Sequence, residues 1–147
     1  MEIVLYQPEI AGNVGAIIRL AANSGISLNL IKPFGFDLQE NKIRRAGLDY
    51  HDLSNTKTYN SWEEFTITNK TKSICCLSSK GIDSYWDTNL NQYDFLLFGP
   101  ESIGLPDEII SSYKTITIPM KENSRSINLA NSVGIVVFES LRQASVQ

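Results

Sequence analysis

Arg19 stands four residues after Gly15 in the run Asn13-Val14-Gly15-Ala16-Ile17-Ile18-Arg19, a spacing that brings the glycine and the guanidinium near one face of a helix. Its neighbours Ile17, Ile18, Leu20 and Ala21 would pack such a helix into a core, and an arginine among them is costly to bury unpaired. Two readings stay open: a snorkelling or salt-bridged side chain, or a guanidinium that faces a cleft and meets a phosphate or carboxylate. A second segment, Phe98-Gly99-Pro100-Glu101-Ser102-Ile103-Gly104-Leu105-Pro106, sets two glycines and two prolines directly after an apolar run. Glycine lets a ligand approach the backbone and proline fixes the turn. With Gly99 and Gly104 five apart and no third glycine or Lys-Ser/Thr pair following, neither a dinucleotide fingerprint nor a phosphate-binding P-loop is present.

A third segment, Asn123-Ser124-Arg125-Ser126-Ile127-Asn128, is dense in hydroxyl and amide groups and feeds straight into an apolar helix. It offers capping side chains and free backbone N–H groups. Capping alone does not require so many polar side chains, and the surplus suggests a ligand. Cations cluster at Lys42, Arg44 and Arg45, with others at Arg19, Lys80, Lys121 and Arg125; such a cluster is either a solvated helix face or a local basic surface. Cys75 and Cys76 are adjacent in a strand-like run, which points them to opposite faces and suits two small buried apolar side chains. His51, the single histidine, reads as a solvated loop residue. Without a Cys/His cluster no zinc site is expected.

The elements that must position these groups alternate between strand and helix. Strands are expected at Ile3 to Tyr6, Leu28 to Ile31, Lys57 to Tyr59, Ser73 to Leu77, Asp94 to Phe98 and Thr115 to Ile118. Helices are expected at Val14 to Asn23 with Asn13 as cap and Gly25 past its end, at Asp37 to Ala46, after the capping box Ser61-Trp62-Glu63-Glu64, at Asp107 to Ser112 behind Pro106, and at Leu129 to Arg142. This order implies an α/β fold, a mainly parallel sheet with helices on both faces. Ligands of such sheets gather at the carboxyl ends of strands, so the loops after Leu77, Phe98 and Ile118 matter most. In the last helix Leu129, Val133, Val137 and Leu141 form one stripe with Ala130, Gly134 and Phe138 beside it, an apolar arc wide enough for a subunit interface or for deep burial.

The chain has 147 residues, is 42% hydrophobic and 20% charged, and carries a formal net charge of −3. One domain spanning 1–147 is the economical expectation, with no linker, repeat or low-complexity stretch to divide it. The composition disfavours disorder and a generic polycation, and no apolar run approaches the roughly 20 residues of a membrane span. The start Met1-Glu2-Ile3-Val4-Leu5-Tyr6 lacks the pattern of a signal peptide, so the expected compartment is the cytoplasm.

Taken in order, Leu5-Tyr6-Gln7-Pro8-Glu9-Ile10, Asn13 to Arg19, Arg44-Arg45-Ala46-Gly47-Leu48-Asp49-Tyr50-His51, Phe98 to Gly104 and Asn123 to Ser132 resemble the SPOUT class of RNA methyltransferases. The whole chain is similar to its small tRNA ribose methyltransferases, the TrmL/YibK-like subfamily. The resemblance implies a single domain with no appended RNA-binding domain, a deep trefoil knot in the carboxyl-terminal part and a homodimer packed partly through the first and last helices. It implies S-adenosylmethionine as cofactor, leaving as S-adenosylhomocysteine, with contacts from Leu77, Gly99, Glu101, Ile118, Met120 and Ser126. It implies transfer of methyl to the ribose 2′-hydroxyl of the wobble nucleotide, a cytidine or modified uridine at position 34 of tRNA-Leu, without a metal. Arg19, Asn13, Ser126 and Asn128 are then the catalytic set, and Lys42, Arg44, Arg45 and Arg125 hold phosphates of the anticodon stem-loop. A guanidinium is a very poor base, with pKa above about 12, so Arg19 suits a phosphate anchor better than a proton acceptor. The alternatives are a 2′-O-methyltransferase for another tRNA or rRNA site, and a non-catalytic RNA-binding protein on the same fold.

Overall fold

The computed structural model describes residues 1–36 and 55–145. The helix expected at Asp37 to Ala46, the cations Lys42, Arg44 and Arg45, and His51 lie outside the described residues.

Among the described residues seven strands form one sheet: β1 (Glu2–Tyr6), β2 (Leu28–Ile31), β3 (Thr56–Tyr59), β4 (Ile74–Leu77), β5 (Asp83–Ser84), β6 (Phe95–Phe98) and β7 (Lys114–Thr117). Their spatial order is β3-β2-β1-β6-β4-β7-β5, and every pair is parallel. Among the described residues four helices accompany them: α1 (Ala11–Ser24), α2 (Trp62–Thr68), α3 (Asp107–Ser112) and α4 (Leu129–Ser145). A 3-10 turn, Leu90–Gln92, lies between β5 and β6.

Alternation along the strands divides the core in two. Ile3, Leu5, Leu28, Leu30, Cys75, Leu77, Leu96 and Phe98 pack with Val14, Ile17 and Ile18 of α1 and Val133, Val136 and Val137 of α4. The intervening Val4, Ile31, Ile74, Cys76, Phe95 and Leu97 pack with Phe65 of α2 and Ile109 of α3. The sheet is therefore covered on both faces, and the two cysteines sit in different clusters. Both are fully buried and form no disulfide. Burial pushes each thiol up to about 12.

Local sequence accounts for most boundaries. Gly25 ends α1 at φ +69°, its N–H reaching Ala22 while Ile26 bonds back to Ala21, the glycine-dependent closure of a helix carboxyl end. Ser61 Oγ accepts from Glu64 N at 3.1 Å. The Glu64 carboxylate reaches one residue further back than a capping box requires, accepting from Asn60 N at 2.6 Å.

Two expectations need correction. Asn13 does not cap α1: Ile10 holds that position without a side-chain bond, and Asn13 lies inside the first turn. The capping acceptor comes instead from a distant loop, described below. The last strand is shifted by one residue, because Lys114 pairs with Cys75 and Ile116 with Leu77, which releases Ile118 from the sheet. Among the described residues no helix is long and apolar enough to cross a membrane.

Candidate functional site

Leu77 and Phe98 end neighbouring strands in register, and Ile118 follows the end of β7 on the other side of β4. Above these ends lies a cleft of about 420 Å³. Leu77, Phe98, Ile118, Met120 and Leu129 give it apolar walls, while Ser78, Ser79, Ser126, Asn128 and Ser132 bring hydroxyl and amide groups to its rim. The loop from Gly99 to Gly104 forms one side. A Cβ at Gly99 would lie 2.4 Å from Leu105 N and 2.6 Å from the Gly104 carbonyl carbon, so this loop folds tightly on itself only with bare backbone there. Gly104 adopts φ +71° and donates its N–H to Pro100 O at 3.0 Å.

A polar chain ties three separate segments together around the cleft. Glu101 accepts from Glu9 N at 2.9 Å, from Ile10 N at 3.2 Å and from Asn13 Nδ2 at 2.9 Å. A carboxylate there supplies the negative charge that a helix amino end favours, the role sequence reasoning gave to Asn13. Asn13 Oδ1 in turn accepts from Asn128 Nδ2 at 2.9 Å. Asn128 Oδ1 accepts from Ala130 N at 2.9 Å and Asn131 N at 3.3 Å, so Asn128 caps α4 while its amide grips α1. A second clasp runs the other way. Glu9 accepts from Ser102 N at 2.8 Å and Ser102 Oγ at 2.7 Å, and those bonds, the hydroxyl's foremost, hold its carboxyl below the ordinary glutamate range.

Of the site residues expected from sequence, Asn13, Leu77, Gly99, Glu101, Ile118, Met120, Ser126 and Asn128 all line the one cleft. Arg19 does not. It lies on the exposed outer face of α1 with Gly12, Ala16 and Asn23, about 9 Å further along the helix than Asn13 at 1.5 Å per residue. Arg125 is exposed beside Ser126 and is not among the lining residues. Sequence reasoning missed the Glu9–Ser102 clasp. The negative charge of Glu9 directly ahead of a helix was a usable signal; its partner, 93 residues away, carried none. Among the described residues no group of three His, Cys, Asp or Glu side chains is placed to hold a metal ion.

The family model described as the SpoU rRNA Methylase family matches residues 1–138. A protein of Aeromonas hydrophila named tRNA (cytidine(34)-2′-O)-methyltransferase is 45% identical over 146 residues, covering 97% of this chain and 94% of that protein. A solved structure described as structural insights into the 2-OH methylation of C/U34 on tRNA superposes with a TM-score of 0.92 at 39% identity, covering 99% of this chain and 97% of that one. The SpoU methyltransferase AviRb of Streptomyces viridochromogenes, solved in complex with AdoMet, superposes with a TM-score of 0.87 at 24% identity, covering 99% of this chain and 58% of that one; at that identity the likeness is one of fold.

Proposed function

This chain belongs to the SpoU rRNA methylase family, and from that premise we propose that it methylates the ribose 2′-hydroxyl of nucleotide 34, a cytidine or uridine, in tRNA. The observation that carries the reading is full-length identity of 45% to a methyltransferase of that name, joined to a cleft built from the same segments that sequence reasoning singled out.

The cleft suits S-adenosylmethionine in size and chemistry. Its volume lies in the range of small-molecule sites. Leu77, Ile118 and Met120 would flank the adenine, the backbone at Gly99 and Ile118 would meet polar edges of the nucleoside, and Ser126 would bond it from the rim. When bound, the cofactor supplies a methyl group already activated on a sulfonium. The protein then has to position the acceptor oxygen and help remove its proton, and positioning is worth several kcal/mol in such reactions.

Asn13 and Asn128 are assigned the orienting role, since their mutual hydrogen bond fixes two helix starts beside the cleft. Glu101 is assigned to the same framework, because its carboxylate is engaged by Glu9, Ile10 and Asn13. Arg19 anchors the phosphate next to the target ribose, and its position away from its own cleft fits action at the site of a second copy. The outer faces of α1 and α4 suit that dimer. Gly12 and Ala16 leave α1 low, and Ile135 and Phe138 stand exposed on α4, Phe138 at 58%.

The knot belongs to the same proposal. Two close crossings support it: Ser78 N donates to Ile116 O at 3.0 Å, and a Cβ on Gly81 would lie 2.4 Å from the Ile116 carbonyl carbon. Arg125, Arg44, Arg45 and Lys42 are proposed to meet tRNA phosphates, and the compartment is that of the substrate, the cytoplasm.

The test is methyl transfer from labelled cofactor to total tRNA lacking this modification, followed by nucleotide mapping. Label in 2′-O-methylated nucleotide 34 is expected, with Arg19→Ala at least about a hundredfold slower and unchanged in cofactor affinity. Label at another nucleotide, or none from a folded protein, refutes the assignment.

A further inference from the structure

On the sheet face opposite α1 and α4 a second cavity of about 280 Å³ opens, and it shares no lining residue with the cleft. Three rings build it: Tyr6 at the end of β1, Trp62 at the start of α2 and Tyr113 directly after α3. The Tyr6 and Tyr113 rings stand at 76° and 89° to the Trp62 indole, with centroids 5.9 and 6.0 Å away. Phe65, fully buried, stacks on the same indole at 5.5 Å and 23° and so fixes its plane.

Glu63 and Glu108 share the rest of the lining with Pro106, Ile109 and Ser112. Each lies in the first turn of its helix, where a carboxylate suits the helix dipole. That role does not require both side chains to border one aromatic cavity, and no lysine or arginine is among the residues that line it. Both carboxylates also raise the pKa of the Tyr6 hydroxyl, behind the larger effect of burial, so their negative potential converges on one place.

Ring faces carry negative quadrupoles that attract cations, and the attraction grows as water is excluded. A metal ion asks for a shell of several charged ligands, and among the described residues no group of three His, Cys, Asp or Glu side chains is placed to supply one. A neutral apolar guest would gain nothing from the two carboxylates at its edge. We propose that this cage binds a small organic cation with an alkylated ammonium head, the rings receiving the alkyl groups and Glu63 and Glu108 balancing the charge. The proposal stands independently of the methyl-transfer reading.

Choline and its neutral isostere 3,3-dimethylbutan-1-ol distinguish charge from shape. Two tryptophans are present, so in isotope-labelled protein the Trp62 indole N–H reports on the cage and that of Trp86 serves as an internal reference. Choline is expected to shift the Trp62 signal saturably and to bind roughly tenfold more tightly than the alcohol. Glu63→Gln with Glu108→Gln is expected to weaken choline by a similar factor while methyl transfer stays unchanged. Equal affinity for the two probes, no saturable shift at Trp62, or unaltered choline affinity in the double variant overturns the proposal.

Discussion

Glu101 reaches across 92 residues of sequence to accept from Glu9 and so couples the loop that walls the cleft to the start of α1. Replacing it with alanine leaves the N–H groups of Glu9 and Ile10 and the Asn13 amide without that acceptor. Glu101→Ala is expected to lose about 1–3 kcal/mol of stability in denaturant unfolding and to weaken cofactor affinity, because the loop loses its anchor. Unchanged affinity would show that Ser102 and Glu9 hold the loop alone. Cys75 and Cys76, buried with thiols near 12, have almost no thiolate at neutral pH. Both are expected to resist a thiol reagent in the folded protein and to react only on unfolding, which a dye-based thiol count with and without denaturant measures. The burial of these cysteines was legible from their place in an apolar run. So was the composition of the cleft, since loops after parallel strands converge. The partners of Glu101 and Glu9 were not legible, because they are set by folding of the sheet and leave no local pattern.

Strands rich in apolar residues announced themselves, and α4 was visible as a long periodic run. What escaped notice was β5, two polar residues held only by pairing with β7, and the turn Leu90–Gln92. Neither is long enough to show a period, and the turn owes its shape to α4. Gln143 accepts from Leu90 N at 2.8 Å and donates to Thr88 O at 3.0 Å, while Ser140 and Asn91 exchange bonds of 2.8 and 3.1 Å. Glu139 steadies this hook by accepting from Gln143 Nε2 at 2.9 Å and from Arg142 Nε and Nη2, each at 2.8 Å. The Arg142 bonds, above all, lower its carboxyl from an ordinary 4.5 to about 2. The stability gained is therefore complete above pH 4.5 and drains away as pH falls toward 2. Thermal unfolding of the native protein and of Glu139→Gln is expected to differ most above pH 5 and to converge toward pH 2. A gap constant across that range would assign the effect to packing.

At the scale of the molecule, the acidic average conceals where function lies. An apolar outer face on α4 and an arginine remote from its own cleft support the proposed second copy. Phe138→Glu is expected to yield a monomer in light scattering and to lower methyl transfer at least about a hundredfold. A dimer that persists with full activity would place the interface elsewhere. The sheet order also bears on how the chain comes to be made. β7 lies between β4 and β5, and β5 has no other ladder partner. A growing polypeptide must therefore hold open a slot beside β4 until residues 114–117 leave the ribosome, and long-range pairing of this kind is slow. Until that slot is filled the cleft proposed for the methyl donor lacks Ile118 and the rim that follows it, so on that proposal a half-made enzyme cannot capture its cofactor.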